Sequence, residues 1–153
     1  MRTLPPFQLL LDGHAREVHR LCLALVGPDD ADDCFQDTVI SALGAYPTLQ
    51  SADNLGAWLR TIARNKARDH YRARSRRAVP AGDVPEPPAA EPPVAAGAWE
   101  LVRRLPPKQR EAVALRYAAD LPFAEVGDAM GTSEEAARRN VHEALKTLRE
   151  VWS

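Results

Sequence analysis

At 153 residues, with 45% hydrophobic and 27% charged side chains, the chain can build one ordinary globular domain or two small ones. No apolar run approaches the roughly 20 residues that span a bilayer, so membrane insertion is not expected. The opening Met1-Arg-Thr-Leu-Pro-Pro has no apolar stretch or small-residue cleavage site, so a secretory signal is not expected either. The formal net charge is −1, yet charge is sharply segregated. Asp29 to Asp37 holds five aspartates and no cation, whereas Arg60 to Arg77 holds eight Lys/Arg and one acid, Asp69. Such polarity calls for two charged faces and two kinds of partner.

Val18, Leu21, Cys22 and Leu25 fall at i, i+3, i+4 and i+7, one face of a first helix that ends near Gly27-Pro28. Phe35, Val39, Ala42, Leu43 and Tyr46 give a second helix its apolar face, opposite a polar stripe of Asp33, Gln36, Asp37 and Ser41, and Pro47 closes it. The crowded aspartates of its first turns suit the helix dipole, and the stripe continues beyond them as a candidate protein-binding face. Cys22 and Cys34, each within an apolar helical pattern, read as buried thiols of a reducing compartment rather than a disulfide framework.

Asn54 is placed to cap a third helix with Leu55, Trp58, Leu59 and Ile62 inward. Along it Arg60, Arg64, Arg68, Arg72 and Arg76 recur every fourth residue, with Lys66, Arg74 and Arg77 beside them. Each such step advances about 6 Å and drifts about 40° around the axis, giving a slowly winding stripe, expected opposite the apolar face. A row of guanidinium groups with one compensating acid suits successive phosphates of a nucleic acid.

The stretch 78–98 carries six of the thirteen prolines, three acids and no Lys or Arg. Prolines this dense forbid a helix, so an extended, semi-rigid acidic linker is expected between units at 1–77 and 99–153. Beyond it, Pro106-Pro107 opens a helix through Val113, Leu115 and Tyr117. Pro122 then suits the first turn of a short helix from Phe123 to Met130, which Gly131 ends. Thr132-Ser-Glu-Glu135 has capping-box spacing, and Ala137, Val141, Ala144, Leu148 and Val151 keep a helical period to the end. Short helix, tight turn and longer amphipathic helix describe a helix-turn-helix that presents Glu135, Arg138, Arg139 and His142 outward. With no alternating strand pattern, the fold class is all-α: two small helical domains joined by a Pro/Ala-rich acidic linker. Four scattered histidines and the absence of any nucleophile or phosphate-loop motif leave no metal site, no cofactor and no catalytic constellation.

Four segments, in order, resemble the extracytoplasmic-function group of sigma-70-type RNA polymerase sigma factors. They are Asp30-Ala-Asp-Asp-Cys-Phe-Gln-Asp-Thr38, the Asn54 to Arg72 run with Trp58-Leu-Arg-Thr-Ile-Ala-Arg-Asn65, Leu105-Pro-Pro-Lys-Gln-Arg-Glu-Ala-Val-Ala-Leu-Arg-Tyr117, and Phe123-Ala-Glu-Val-Gly-Asp-Ala-Met-Gly131. The resemblance implies a non-enzymatic cytoplasmic subunit that binds core RNA polymerase through Asp33, Gln36 and Asp37. It implies promoter −10 recognition and melting by Asn54, Trp58, Arg60, Arg64, Asn65, Arg68 and Arg72, with the loop 48–53 trapping a flipped base. It implies −35 recognition by Glu135, Arg138, Arg139, Asn140 and His142, and an anti-sigma factor as a further partner. The recognition helix departs from the family pattern: Asn140 and Glu143 stand where arginines are usual. That departure motivates a second reading, a sigma-like decoy that captures an anti-sigma factor, and the helix-turn-helix by itself a third, a one-component DNA-binding regulator.

Overall fold

The computed structural model describes residues 4–78 and 100–152, and among them there are helices and no strands. The expected linker therefore lies, apart from Ala78, outside the described residues, as do the side chains of Arg76, Arg77 and Val151. Helix α1 spans Phe7–Val26 and α2 spans Pro28–Ala45; a 3₁₀ turn Tyr46–Thr48 follows, then α3 over Leu55–Ala78. After a helical turn at 100–103 come α4, Pro107–Val113, and a π-helical turn, Ala114–Ala118. Helices α5, Phe123–Met130, and α6, Glu134–Trp152, complete the fold.

Local chemistry explains most of these boundaries. Gly27 takes φ 86°, a left-handed value that lets α1 stop and α2 begin one residue later with Pro28 in its first turn. The Asn54 side chain accepts the Ala57 N–H at 3.2 Å and caps α3. Gly131 at φ 69° ends α5 where the sequence places it. The α6 cap is one residue later than the expected box: Ser133, not Thr132, accepts the Ala136 N–H at 3.0 Å. With Ala136 at the third position there is no side chain to reach back, so the cap is single.

Helices α1, α2 and α3 pack on one another, and α4 and α5 each pack on α6. The buried face of α1 is the expected one, with Val18, Leu21, Cys22 and Leu25 all inside. That of α2 is rotated: Ala31, Cys34, Thr38 and Ala42 are buried, Phe35 and Val39 are half-buried, and Leu43 is exposed. The polar Thr38 can occupy the core because its hydroxyl donates to the Cys34 carbonyl at 2.8 Å within the helix. Cys22 of α1 and Cys34 of α2 are fully buried free thiols. The neighbouring Cys22 thiol, then burial, pushes the Cys34 thiol well above its ordinary range, which favours its protonated form. Buried residues from both sides of 79–99 belong to one continuous apolar cluster, in which the π-helical turn lies against α1.

Candidate nucleic-acid interface

The arginine row of α3 does not run opposite the apolar face along its whole length. A stripe that drifts about 40° per step leaves one side of a helix for another within three steps. Its beginning is inside: Arg60 and Arg64 are 8% and 7% exposed, beside the buried Leu59, Ala63 and Ala67. Its continuation is outside, with Arg68 and Arg72 exposed, as is Asn65. Trp58 is half-buried and stacks at a tilt on Tyr46, ring centroids 5.9 Å apart. Asn54 is exposed at the helix start.

The two buried arginines have protein partners. Arg60 donates to Glu17 of α1 at 2.8 Å, a bond internal to the three-helix packing of α1–α3. Its position answers a structural need, and the DNA contact expected of Arg60 would require this bond to open. Arg64 donates to the Ala129 carbonyl of α5 and, at 2.9 Å, to Glu111 of α4. Arg68 meets the same carboxylate with Nε at 2.9 Å and Nη2 at 3.2 Å. Burial alone would raise the Glu111 pKa; the hydrogen bonds from Arg68 and Arg64 outweigh it and hold the group below its ordinary value. Sequence spacing could not reveal this pairing, because Glu111 lies 43 residues beyond Arg68.

The acidic face of α2 is open. Asp33, Gln36 and Asp37 are all exposed, and two exposed apolar groups extend the same side of the helix: Ile40, to which periodicity assigned no role, and Leu43, which it placed on the inner face. Asp37 also meets His70 of α3 at 2.7 Å, Asp30 meets Arg74 at 3.2 Å, and Asp32 meets His19 at 2.9 Å. These contacts join α2 to its neighbours, and the Asp30–Arg74 ion pair, near the surface, contributes little, roughly 0–1 kcal/mol.

On α6, Glu135, Arg138, Arg139 and His142 face solvent, whereas Asn140 is half-buried. Arg138 pairs with Glu134 at 3.2 Å and lies over the Phe123 ring, 5.0 Å from its centroid. Arg116 lies over the same ring at 4.8 Å. The first helix of the pair thus props a guanidinium on the second. Glu143 is exposed. Among the described residues, no group of His, Cys, Asp and Glu is arranged to hold a metal, and no helix is long and apolar enough to cross a membrane.

The profile described as Sigma-70 region 2 matches residues 10–77, and that described as Sigma-70, region 4 matches residues 101–150. The Caulobacter vibrioides ECF RNA polymerase sigma factor SigF is 36% identical over 80% of this chain and 71% of its own. The chain belongs to the extracytoplasmic-function group of sigma-70 family sigma factors. The ECF sigma factor BldN of Streptomyces coelicolor is 35% identical over 93% of this sigma factor, which spans 58% of BldN's length. The fold is shared with the Bartonella quintana sigma factor RpoE, solved in complex with the anti-sigma factor NepR, at a TM-score of 0.77 and 24% identity, covering 95% of this chain and 96% of that one. CnrH, solved with the cytosolic domain of CnrY, shares it at a TM-score of 0.72 and 23% identity, covering 95% and 86%. Members of this family are transcription initiation factors, and the tight turn between α5 and α6 is the helix-turn-helix of region 4.

Proposed function

We propose that this sigma factor binds core RNA polymerase in the cytoplasm through the exposed face of α2 and directs it to a promoter. Residues 1–77 then carry polymerase binding and −10 recognition, and 99–153 carry −35 recognition. In this reading Asp33, Gln36 and Asp37 meet the polymerase. Asn54, Trp58, Arg64, Asn65, Arg68 and Arg72 meet the −10 element, and Arg60 joins them if its bond to Glu17 opens. Arg138, Arg139 and His142, with Glu135 and Asn140 beside them, meet the −35 element. The observation that carries the reading is an exposed acidic stripe on α2 and exposed basic residues on α3, carried by one packed helical unit. A surface of one sign recruits the polymerase, and one of the other sign faces phosphates.

Run-off transcription with core polymerase and a promoter library tests it. Transcripts that start at one promoter class only when the chain is added are the expected result. No transcript, together with tight capture of an anti-sigma factor, would point to a decoy. Promoter-specific binding of the chain without polymerase would point to a one-component regulator. The polymerase contact has its own test. Asp33 and Gln36 are exposed without the His70 bond that complicates Asp37. Asp33→Arg with Gln36→Arg inverts the stripe, and co-purification with core polymerase should fall at least about tenfold, since like charge across an interface costs several kcal/mol. Undiminished co-purification of a natively helical variant would remove α2 from the interface.

A further inference from the structure

We infer that Glu111 is an intramolecular stand-in for a DNA phosphate, an autoinhibitory contact that keeps Arg64 and Arg68 from the promoter until the two halves of the chain part. The inference rests on the reading above, in which those two arginines contact DNA.

The geometry is that of an anion site already filled. One carboxylate, on a side chain 12% exposed, accepts three N–H bonds of 2.9–3.2 Å from two guanidinium groups. Two arginines one turn apart would offer a phosphate the same fork of donors. Arg64 is sealed further, its other terminal nitrogen held by the Ala129 carbonyl of the helix-turn-helix. No nucleic acid can reach a side chain only 8% exposed and held in this way while the contact stands.

Two further pins hold the same closure. Arg110, adjacent to Glu111, lies 4.1 Å over the ring of Tyr71 on α3. Arg103 donates to the Val26 carbonyl at 3.3 Å and covers Gly27, where an added Cβ would lie 2.2 Å from its guanidinium. A side chain at that turn would displace the Arg103 guanidinium and loosen this pin. Apolar contact between α1 and the π-helical turn supplies the remainder. Removing the Glu111 charge therefore shifts the closed–open balance without abolishing closure, while reversing it sets a third cation against two arginines.

Two variants of the full chain test the inference, with a labelled 20-mer oligo(dT) as probe. Glu111→Gln should tighten oligo(dT) binding about tenfold, because apparent affinity scales with the open fraction. The control is Glu125→Gln, an exposed acid on α5 that makes the same change in net charge. Glu111→Lys should raise the radius of gyration in small-angle scattering while circular dichroism stays helical. If Glu111→Gln binds no better than Glu125→Gln and Glu111→Lys leaves the radius unchanged, the contact is not a latch. A larger radius with no gain in affinity keeps the closure but overturns its inhibitory role, and with it the assignment of Arg64 and Arg68 to phosphates. Should Glu111→Lys fail to fold, Glu111→Gln against its control still decides.

Discussion

Leu115→Ala will lower the free energy of unfolding by about 2–5 kcal/mol, the cost of deleting buried methyl groups and leaving a cavity behind. Leu115 is fully buried in the π-helical turn that lies against α1, and it belongs to the cluster containing Leu21, Leu25 and Leu59. Urea denaturation followed by circular dichroism measures the effect. The shape of the curve matters as much as its midpoint. With one apolar cluster shared across the chain, the wild type should melt in one transition, and the variant should shift the whole of it. Two transitions, with only one moved by the substitution, would show that the halves are energetically separate and that their contact adds little.

What was legible in the sequence follows from the range over which each signal acts. Gly27-Pro28, Asn54, Pro122 and Gly131 act on the backbone within a turn, and each marks a helix end in the structure. Periodicity found the inner face of α1 but missed that of α2 by a fraction of a turn. There Thr38, polar by composition, is buried because its hydroxyl is satisfied within the helix, whereas Leu43 faces outward beside Ile40. The arginine row shows the same limit. Four-residue spacing predicts a stripe, but the partners that fix its use, Glu17 and Glu111, come from α1 and α4, 43 residues away from Arg60 and from Arg68. A count of compensating acids within one helix cannot see carboxylates delivered by the tertiary fold.

The divided fate of that row gives the second large effect. Arg60→Met should destabilise the chain by roughly 3 kcal/mol, because removing one partner of a buried ion pair strands the other. The Arg60 side chain is 10% exposed and its partner Glu17 21%, so little water reaches the carboxylate left behind. His14, 3.6 Å from Glu17, recovers only a part of the lost interaction. Adding Glu17→Met to Arg60→Met should restore most of the stability, since a buried pair replaced by well-packed apolar groups is often neutral. Arg72→Ala, at an exposed position on the same helix, should leave stability within about 0.5 kcal/mol of wild type while lowering the salt dependence of DNA binding by about one counterion. Urea midpoints for the single and double variants, beside oligo(dT) titrations at several salt concentrations, separate the two roles. A stable Arg60→Met with a reduced salt slope would return Arg60 to the DNA interface and require the Glu17 contact to open on binding.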